Sequence, residues 1–141
     1  MSDIFYACSF SGKVNYDTGD IHPEYRELIE RDLEMLRKRG HQVFCAVEAE
    51  GWKIGVATPG EGVTWDTEEI DKAEVLVARL EGSVSAGVQW EMGYAHGRGK
   101  LVYALASKSQ ELAYWNEGLV QAGFVKRLET IEELGQNEAT S

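Results

Sequence analysis

The hydrophobic positions of the chain fall into two patterns, short continuous runs and longer stretches with helical spacing. The continuous runs predict five β-strands, at 4–8, 42–47, 75–80, 101–105 and 124–128. Between them, apolar residues recur every third or fourth position, which predicts helices at 23–39, 64–73, 88–96, 110–121 and, in one short piece, 130–134. The third strand is apolar throughout except for Arg79, so we expect it to be buried on both faces at the centre of the sheet.

Alternating strands and helices predict an α/β fold, a doubly wound parallel sheet of about five strands with helices on both faces, as in flavodoxin and Rossmann-like domains. We expect one domain over residues 1–134 and a mobile polar tail over 135–141. Ligands of such folds bind at the carboxyl ends of the strands, near the switch in strand order. The segments to examine are therefore 9–13 and 81–91, directly after strands one and three.

The stretch 51–62 is rich in glycine and contains Pro59, so we predict a long loop there. Thr64 would then cap the following helix, and Asp66 would lie in its first turn. Farther upstream, Pro23 suits the first turn of a helix that Asp20 would cap.

Charge and composition exclude several classes of function. The formal net charge of −10 argues against binding a nucleic-acid backbone, which needs a basic face. We find no apolar run of membrane-spanning length and no secretory signal, so we expect a cytoplasmic protein with no membrane partner. No Cys/His cluster has the spacing of a metal site, and Cys8 and Cys45 are expected to be buried, reduced thiols.

The familiar nucleotide-binding motifs are missing from this sequence. It contains no Walker-type loop, and no G-x-G-x-x-G follows the first strand, which argues against a dinucleotide site. A phosphate-accepting receiver domain would need acidic residues after the first strand, where Ser9, Phe10 and Ser11 stand instead.

One carboxylate occupies an unusual position. Glu91 lies one helical turn after Gly87, among small and apolar residues, and helix side chains lean toward the N-terminus and hence toward the strand ends. The free N–H groups near Ser85 and Gly87, where that helix starts, attract anions. If Asp66 reaches the same edge, two acids meet across one pocket, as glycosidic chemistry requires.

Each of these residues also has a plain structural interpretation. Glu91 would serve as a surface glutamate, Asp66 as an acid favoured by the helix dipole, and Ser85 as a cap. Tyr6, in the first strand, would orient a carboxylate or simply fill the core.

The segment from Asp66 to Ala78, followed by Ser85-x-Gly87-x-x-x-Glu91-x-Gly-x-Ala, resembles the nucleoside 2-deoxyribosyltransferase superfamily. That superfamily includes 2′-deoxynucleoside 5′-monophosphate N-hydrolases and CMP N-glycosidases. Glu74 stands where the family usually has aspartate. The resemblance implies that Glu91 is the nucleophile of a retaining reaction, that Asp66 is the second catalytic acid and that Tyr6 holds the nucleophile.

The resemblance also implies a small-molecule nucleoside or nucleotide as partner, no cofactor, and a homodimer or larger homo-oligomer. Phe10 would contact the sugar or base, and Asn116 or Glu117 would reach a neighbouring subunit's pocket. We expect Ser9, Ser11, Gly12, Lys13, Ser85 and Gly87 to hold a 5′-phosphate. The prediction is therefore hydrolysis of a nucleoside 5′-monophosphate, with base exchange between deoxynucleosides and non-catalytic nucleotide binding as the alternatives.

Overall fold

The structure is a computed structural model that describes residues 2–10, 12–81 and 84–134 of the chain. Five parallel strands form one sheet in the order β2-β1-β3-β4-β5. The strands are β1 (Asp3–Cys8), β2 (Gln42–Cys45), β3 (Val75–Arg79), β4 (Leu101–Leu105) and β5 (Lys126–Leu128). The predicted doubly wound parallel fold is confirmed, and β3 is the central strand.

Five helices connect the strands in chain order: α1 (Pro23–Lys38), α2 (Ala46–Ala49), α3 (Pro59–Lys72), α4 (Ala86–Gly97) and α5 (Tyr114–Gln121). One face of the sheet packs against α1, which buries Ile29, Leu33 and Leu36 in a core shared with alternate strand residues. The other face packs against α3, α4 and α5. Because the chain moves outward from β1 to β2 and then crosses back to β3, the switch in strand order lies between β1 and β3.

Helix α3 starts five residues earlier than predicted, and this correction matters for the site. Its N-cap is Thr58, whose hydroxyl accepts from the Glu61 N–H at 3.2 Å while the Glu61 carboxylate accepts from the Thr58 N–H at 2.9 Å. This capping box and Pro59 in the first turn outweigh the low helix propensity of the two glycines that suggested a loop. The prediction that Thr64 caps this helix is wrong, and Asp66 lies in its middle.

Other boundaries differ by a few residues. Strand β2 ends at Cys45, after which the chain turns into the short helix α2. Helix α5 and strand β5 begin later than predicted, at Tyr114 and Lys126. The N-cap of α1 is His22, and Asp20 forms an ion pair with Lys53 at 3.2 Å instead of capping the helix. The predicted tail 135–141 lies outside the described residues.

Candidate active site

A cavity of about 130 Å³ opens at the carboxyl edge of the sheet, beside the switch in strand order. Its floor is the end of β1, and its walls come from α2, α3 and the first two turns of α4. The residues around it are Phe5, Tyr6, Ala7, Cys8, Phe10, Ala46, Val47, Asp66, Ser85, Gly87, Val88 and Glu91. Two of the segments that the sequence singled out, after β1 and after β3, thus meet at one cavity.

Glu91 and Asp66 face each other across this cavity, with their carboxyl groups in hydrogen-bonding contact. Val88, Met92 and Ala95 bury one side of α4 in the core, and this fixes the direction in which Glu91 projects. Ile70, one turn after Asp66, does the same for α3. Both acids are half-buried, so a ligand that enters the cavity reaches them.

The two acids affect each other's ionisation. Burial, with the neighbouring Asp66 carboxyl group, raises the pKa of Glu91 to about 9. Burial also raises the pKa of Asp66. The hydrogen bond with Glu91 lowers the pKa of Asp66, but burial has the larger effect. Two adjacent carboxylates do not readily ionise together, so the pair resists carrying two negative charges.

Tyr6 does not hold Glu91, contrary to the prediction. Alternate residues of a strand face opposite sides of the sheet, so Phe5 and Ala7 point toward α4 while Tyr6 points toward α1. There its hydroxyl donates to Asp32 and accepts from Arg79 Nε at 2.8 Å. The side chains of β1 that face α4 are Phe5 and Ala7, and neither has a hydroxyl that could hold Glu91.

The loop after β1 and the start of α4 are joined by a direct hydrogen bond. The buried hydroxyl of Ser9 accepts from the Ser85 N–H at 2.9 Å, and the Ser85 hydroxyl caps α4 by accepting from the Val88 N–H at 3.3 Å. Gly87 is exposed, and nothing but the Ser85 hydroxyl lies within 4 Å of a Cβ built there. The N–H groups at the start of α4 thus border the cavity.

Four predicted binding residues that the structure describes, Ser9, Gly12, Lys13 and Asn116, are not among those that line the cavity. Gly12 is exposed beyond it, in a left-handed conformation with φ +73°. Asn116 is buried inside its own protomer, 2% exposed, and its Oδ1 has no hydrogen-bond partner among the residues that the structure describes. A buried side chain does not reach a neighbouring subunit, so Asn116 does not make the predicted contact, which stays a prediction for the partly exposed Glu117. Ser11 lies outside the described residues.

A third carboxylate, which the sequence did not predict, lies near Asp66. Glu50, at the end of α2, is half-buried. Its pKa is raised, first by burial and second by the negative charge of Asp66. Nothing in the local sequence distinguishes Glu50 from a surface acid, because its approach to Asp66 depends on how α2 and α3 pack. Trp52, in the segment predicted as a loop, is buried in the α1-side core with Arg26 over its ring at 4.9 Å.

Within residues 2–10, 12–81 and 84–134, no group of three acidic, cysteine or histidine side chains is arranged to hold a metal ion. None of the helices in this part of the chain is long and apolar enough to cross a membrane. Neither Cys8 nor Cys45 is in a disulfide, and both are buried.

Residues 18–131 match the model of a family described as nucleoside 2-deoxyribosyltransferase. The chain belongs to the nucleoside 2-deoxyribosyltransferase family. It is thus an enzyme of the deoxyribosyltransferase and N-glycosidase type, acting on nucleosides or nucleotides. The resemblance inferred from Asp66 and the segment Ser85-x-Gly87-x-x-x-Glu91 is confirmed at the level of the family.

Solved structures of the same fold include three informative ones. "Solution Structure of BlsM" superposes with a TM-score of 0.74 at 27% identity, covering 95% of this chain and 85% of that one. A 2-deoxyribosyltransferase from Bacillus psychrosaccharolyticus superposes with a TM-score of 0.69 at 17% identity, covering 94% of this chain and 90% of that one. A CMP N-glycosidase from Clostridium botulinum, BcmB, superposes with a TM-score of 0.64 at 19% identity, covering 97% of this chain and 98% of that one. Among curated protein sequences, no significant match is found.

Proposed function

We propose that this member of the nucleoside 2-deoxyribosyltransferase family hydrolyses the N-glycosidic bond of a nucleoside 5′-monophosphate, with Glu91 as nucleophile. The observation that carries the proposal is the contact between the Glu91 and Asp66 carboxyl groups in a cavity at the start of α4. A close pair of carboxyl groups suits a retaining reaction, in which one attacks the sugar and the other transfers protons.

The reaction has two displacements. A Glu91 carboxylate oxygen attacks C1′, the bond from C1′ to the base nitrogen breaks, and the base leaves with a proton from Asp66. Water then attacks C1′ of the glycosyl ester and gives its proton to Asp66, which releases the sugar 5-phosphate and regenerates the Glu91 carboxylate. Because burial and the Asp66 carboxyl group raise the pKa of Glu91 to about 9, Glu91 must lose its proton before it attacks, and Asp66 is the neighbouring group that can accept it.

The 5′-phosphate would lie against the N–H groups at the start of α4, between Ser9 and Ser85. Helix N-termini bind anions through unpaired N–H groups and the helix dipole. Ser85 is fixed there by its bond to Ser9, so the anion site would be formed before the ligand arrives. The similarity in fold to a CMP N-glycosidase agrees with a phosphorylated substrate.

A second candidate is base exchange between deoxynucleosides. It is favoured by the cavity lining, which contains Asp66 and Glu91 but, among the described residues, no lysine or arginine. An uncharged nucleoside would meet no repulsion from these acids, whereas a phosphate must rely on N–H groups and hydroxyls alone.

A panel of nucleosides and nucleoside monophosphates separates these functions, with release of free base followed by chromatography. Release from monophosphates without a second base supports hydrolysis. Release that requires an added base supports the transferase, and tight binding without release contradicts both.

The nucleophile is tested by Glu91→Ala, which we expect to lose at least ~10³ in rate because an essential nucleophile is removed. The control is Glu68→Ala, which removes an exposed acid from α3 and should leave the rate unchanged. Mass spectrometry of the quenched wild-type reaction should locate a glycosyl ester on Glu91. Near-full activity of the Glu91→Ala protein would refute the assignment.

We also propose that the enzyme is a homodimer that uses an aromatic patch formed by Tyr114, Trp115 and Phe124. These side chains are 92%, 68% and 53% exposed and border a groove of about 660 Å³. They expose roughly 300–500 Å² of aromatic surface, a large share of the ~800 Å² that each partner buries in a standard interface. Phe124 also packs on His96 of α4 at 4.8 Å, so the patch adjoins the helix that carries Glu91.

A further inference from the structure

Arg79 is a buried cation at the carboxyl end of the central strand, and it does not line the active-site cavity. It is 8% exposed and lies on the α1 side of the sheet. Its Nε donates to Tyr6 and Asp32, its Nη2 donates to Asp32, and its Nη1 donates to Glu81 at 2.6 Å. A buried guanidinium is costly unless its donors are satisfied, and here all three nitrogens have partners.

The two sides of this network differ in position. Asp32 and Tyr6 are buried in the core, where they join α1, β1 and β3. Glu81 is different, because its side chain is 37% exposed and it belongs to the loop that leaves β3 for α4. The contact from Arg79 to Glu81 therefore ties that loop to the rigid end of the sheet.

Hydrogen bonds also hold the residues next to Glu81 and next to α4. Leu80, the residue before Glu81, donates its N–H to the Leu105 carbonyl of β4 at 3.0 Å. At the other end, the Ser85 N–H donates to Ser9, and the Ser85 hydroxyl caps α4. Glu81 and Ser85, described residues on either side of positions 82 and 83, are thus each held by a hydrogen bond.

We propose that Arg79 and Glu81 act as positioning residues, which hold the β3–α4 loop so that the N–H groups at the start of α4 face the 5′-phosphate of the substrate. This inference rests on the proposed function. It assigns the pair to substrate binding and leaves the chemical step to Glu91 and Asp66. Loss of the contact should therefore weaken binding of the phosphate more than it slows turnover.

The test is Glu81→Gln, which keeps the size of the side chain and removes the ion pair with Arg79. The matched control is Asp71→Asn. Asp71 pairs with Arg98 at 2.9 Å, its side chain is also 37% exposed, and it lies at the far end of α3 and α4 from the cavity. Both variants remove one negative charge, so any general electrostatic effect on an anionic ligand appears in both.

We expect Glu81→Gln to raise KM for the monophosphate about 3- to 10-fold with kcat within twofold of wild type, as loss of one charged, partly exposed contact predicts. The Asp71→Asn protein should keep both constants. An unchanged or lower KM in the Glu81 variant overturns the inference, and a loss confined to kcat does so as well.

A second readout does not depend on turnover. Inorganic phosphate is titrated into the wild type and both variants, and the amide shifts of Ala86 and Gly87 are followed by NMR. Phosphate should shift these amides in the wild type and in Asp71→Asn, and bind at least threefold more weakly to Glu81→Gln. If the wild type shows phosphate binding but no release of base, the proposed function fails while the positioning role stands. If the three proteins bind phosphate alike, the positioning role fails.

Discussion

At the scale of single residues, the decisive feature is that Glu91 lies against a second acid. A carboxyl group that attacks C1′ must be ionised, yet the same proximity that makes the pair useful disfavours ionisation of both. Under the proposed mechanism, the pair is therefore a site where function is maintained at the expense of stability. Replacement of Glu91 by glutamine removes its charge and keeps the shape of the side chain, so this variant should show the loss of stability directly.

Glu91→Gln should stabilise the protein at alkaline pH. The pKa of Glu91 in the folded chain, about 9, exceeds its ordinary value of 4.5. Between these values the folded state binds more protons than the unfolded chain, so the free energy of unfolding falls as the pH rises through this window. At pH 8 the Gln variant should melt at least about 4 °C higher than the wild type, and at pH 4.5 the two should nearly coincide.

Thermal unfolding of both proteins at the two pH values makes this measurement. Glu68→Gln, on the exposed side of α3, serves as control. Its melting temperature should differ from that of the wild type by the same small amount at both pH values. A Gln variant that is equally or less stable than wild type at pH 8 would show that the two carboxyl groups are not strained together.

At the scale of elements, α3 shows how a local signal fixes the position of Asp66. The capping box at Thr58 and Glu61 starts the helix, and Asp66 follows two turns later at the point where the helix passes the cavity. A helix that began at Thr64 would leave Asp66 in a frayed first turn. The early start therefore gives Asp66 a rigid backbone on both sides.

Thr58→Ala should destabilise the protein by about 1 kcal/mol, because it removes one side of the capping box. Thr64→Ala is the matched control, a threonine of the same helix whose hydroxyl caps nothing, and it should change stability by less than about 0.5 kcal/mol. Urea unfolding of the two variants measures both values. Equal losses would mean that the helix does not depend on its observed N-cap.

At the scale of the whole molecule, the exposed aromatic patch is the feature that the monomer does not explain. Tyr114, Trp115 and Phe124 contribute little to either core, and contiguous exposed aromatic surface commonly marks an interface. A second copy of the chain would cover it beside α4.

Light scattering after gel filtration should give the mass of a dimer for the wild type and of a monomer for Trp115→Glu, since a buried charge at an interface is costly. Tyr16→Glu is the control, because Tyr16 is 72% exposed but lies in the β1–α1 connection outside the patch, and it should stay dimeric. A wild type that remains monomeric at about 10 μM, where micromolar-affinity complexes are populated, would contradict the proposal.

The sequence by itself determined the order of strands and helices, the parallel sheet and the place of Glu91 on α4. These follow from local rules, since the spacing of apolar residues sets each element and helix geometry sets the direction of Glu91. Only the tertiary structure decided which side chains meet. The packing of β1 against α1 paired Tyr6 with Asp32 and Arg79, the packing of α2 against α3 brought Glu50 toward Asp66, and the inner face of the otherwise exposed α5 buried Asn116. Such contacts join residues that are distant in the chain, so no local pattern encodes them.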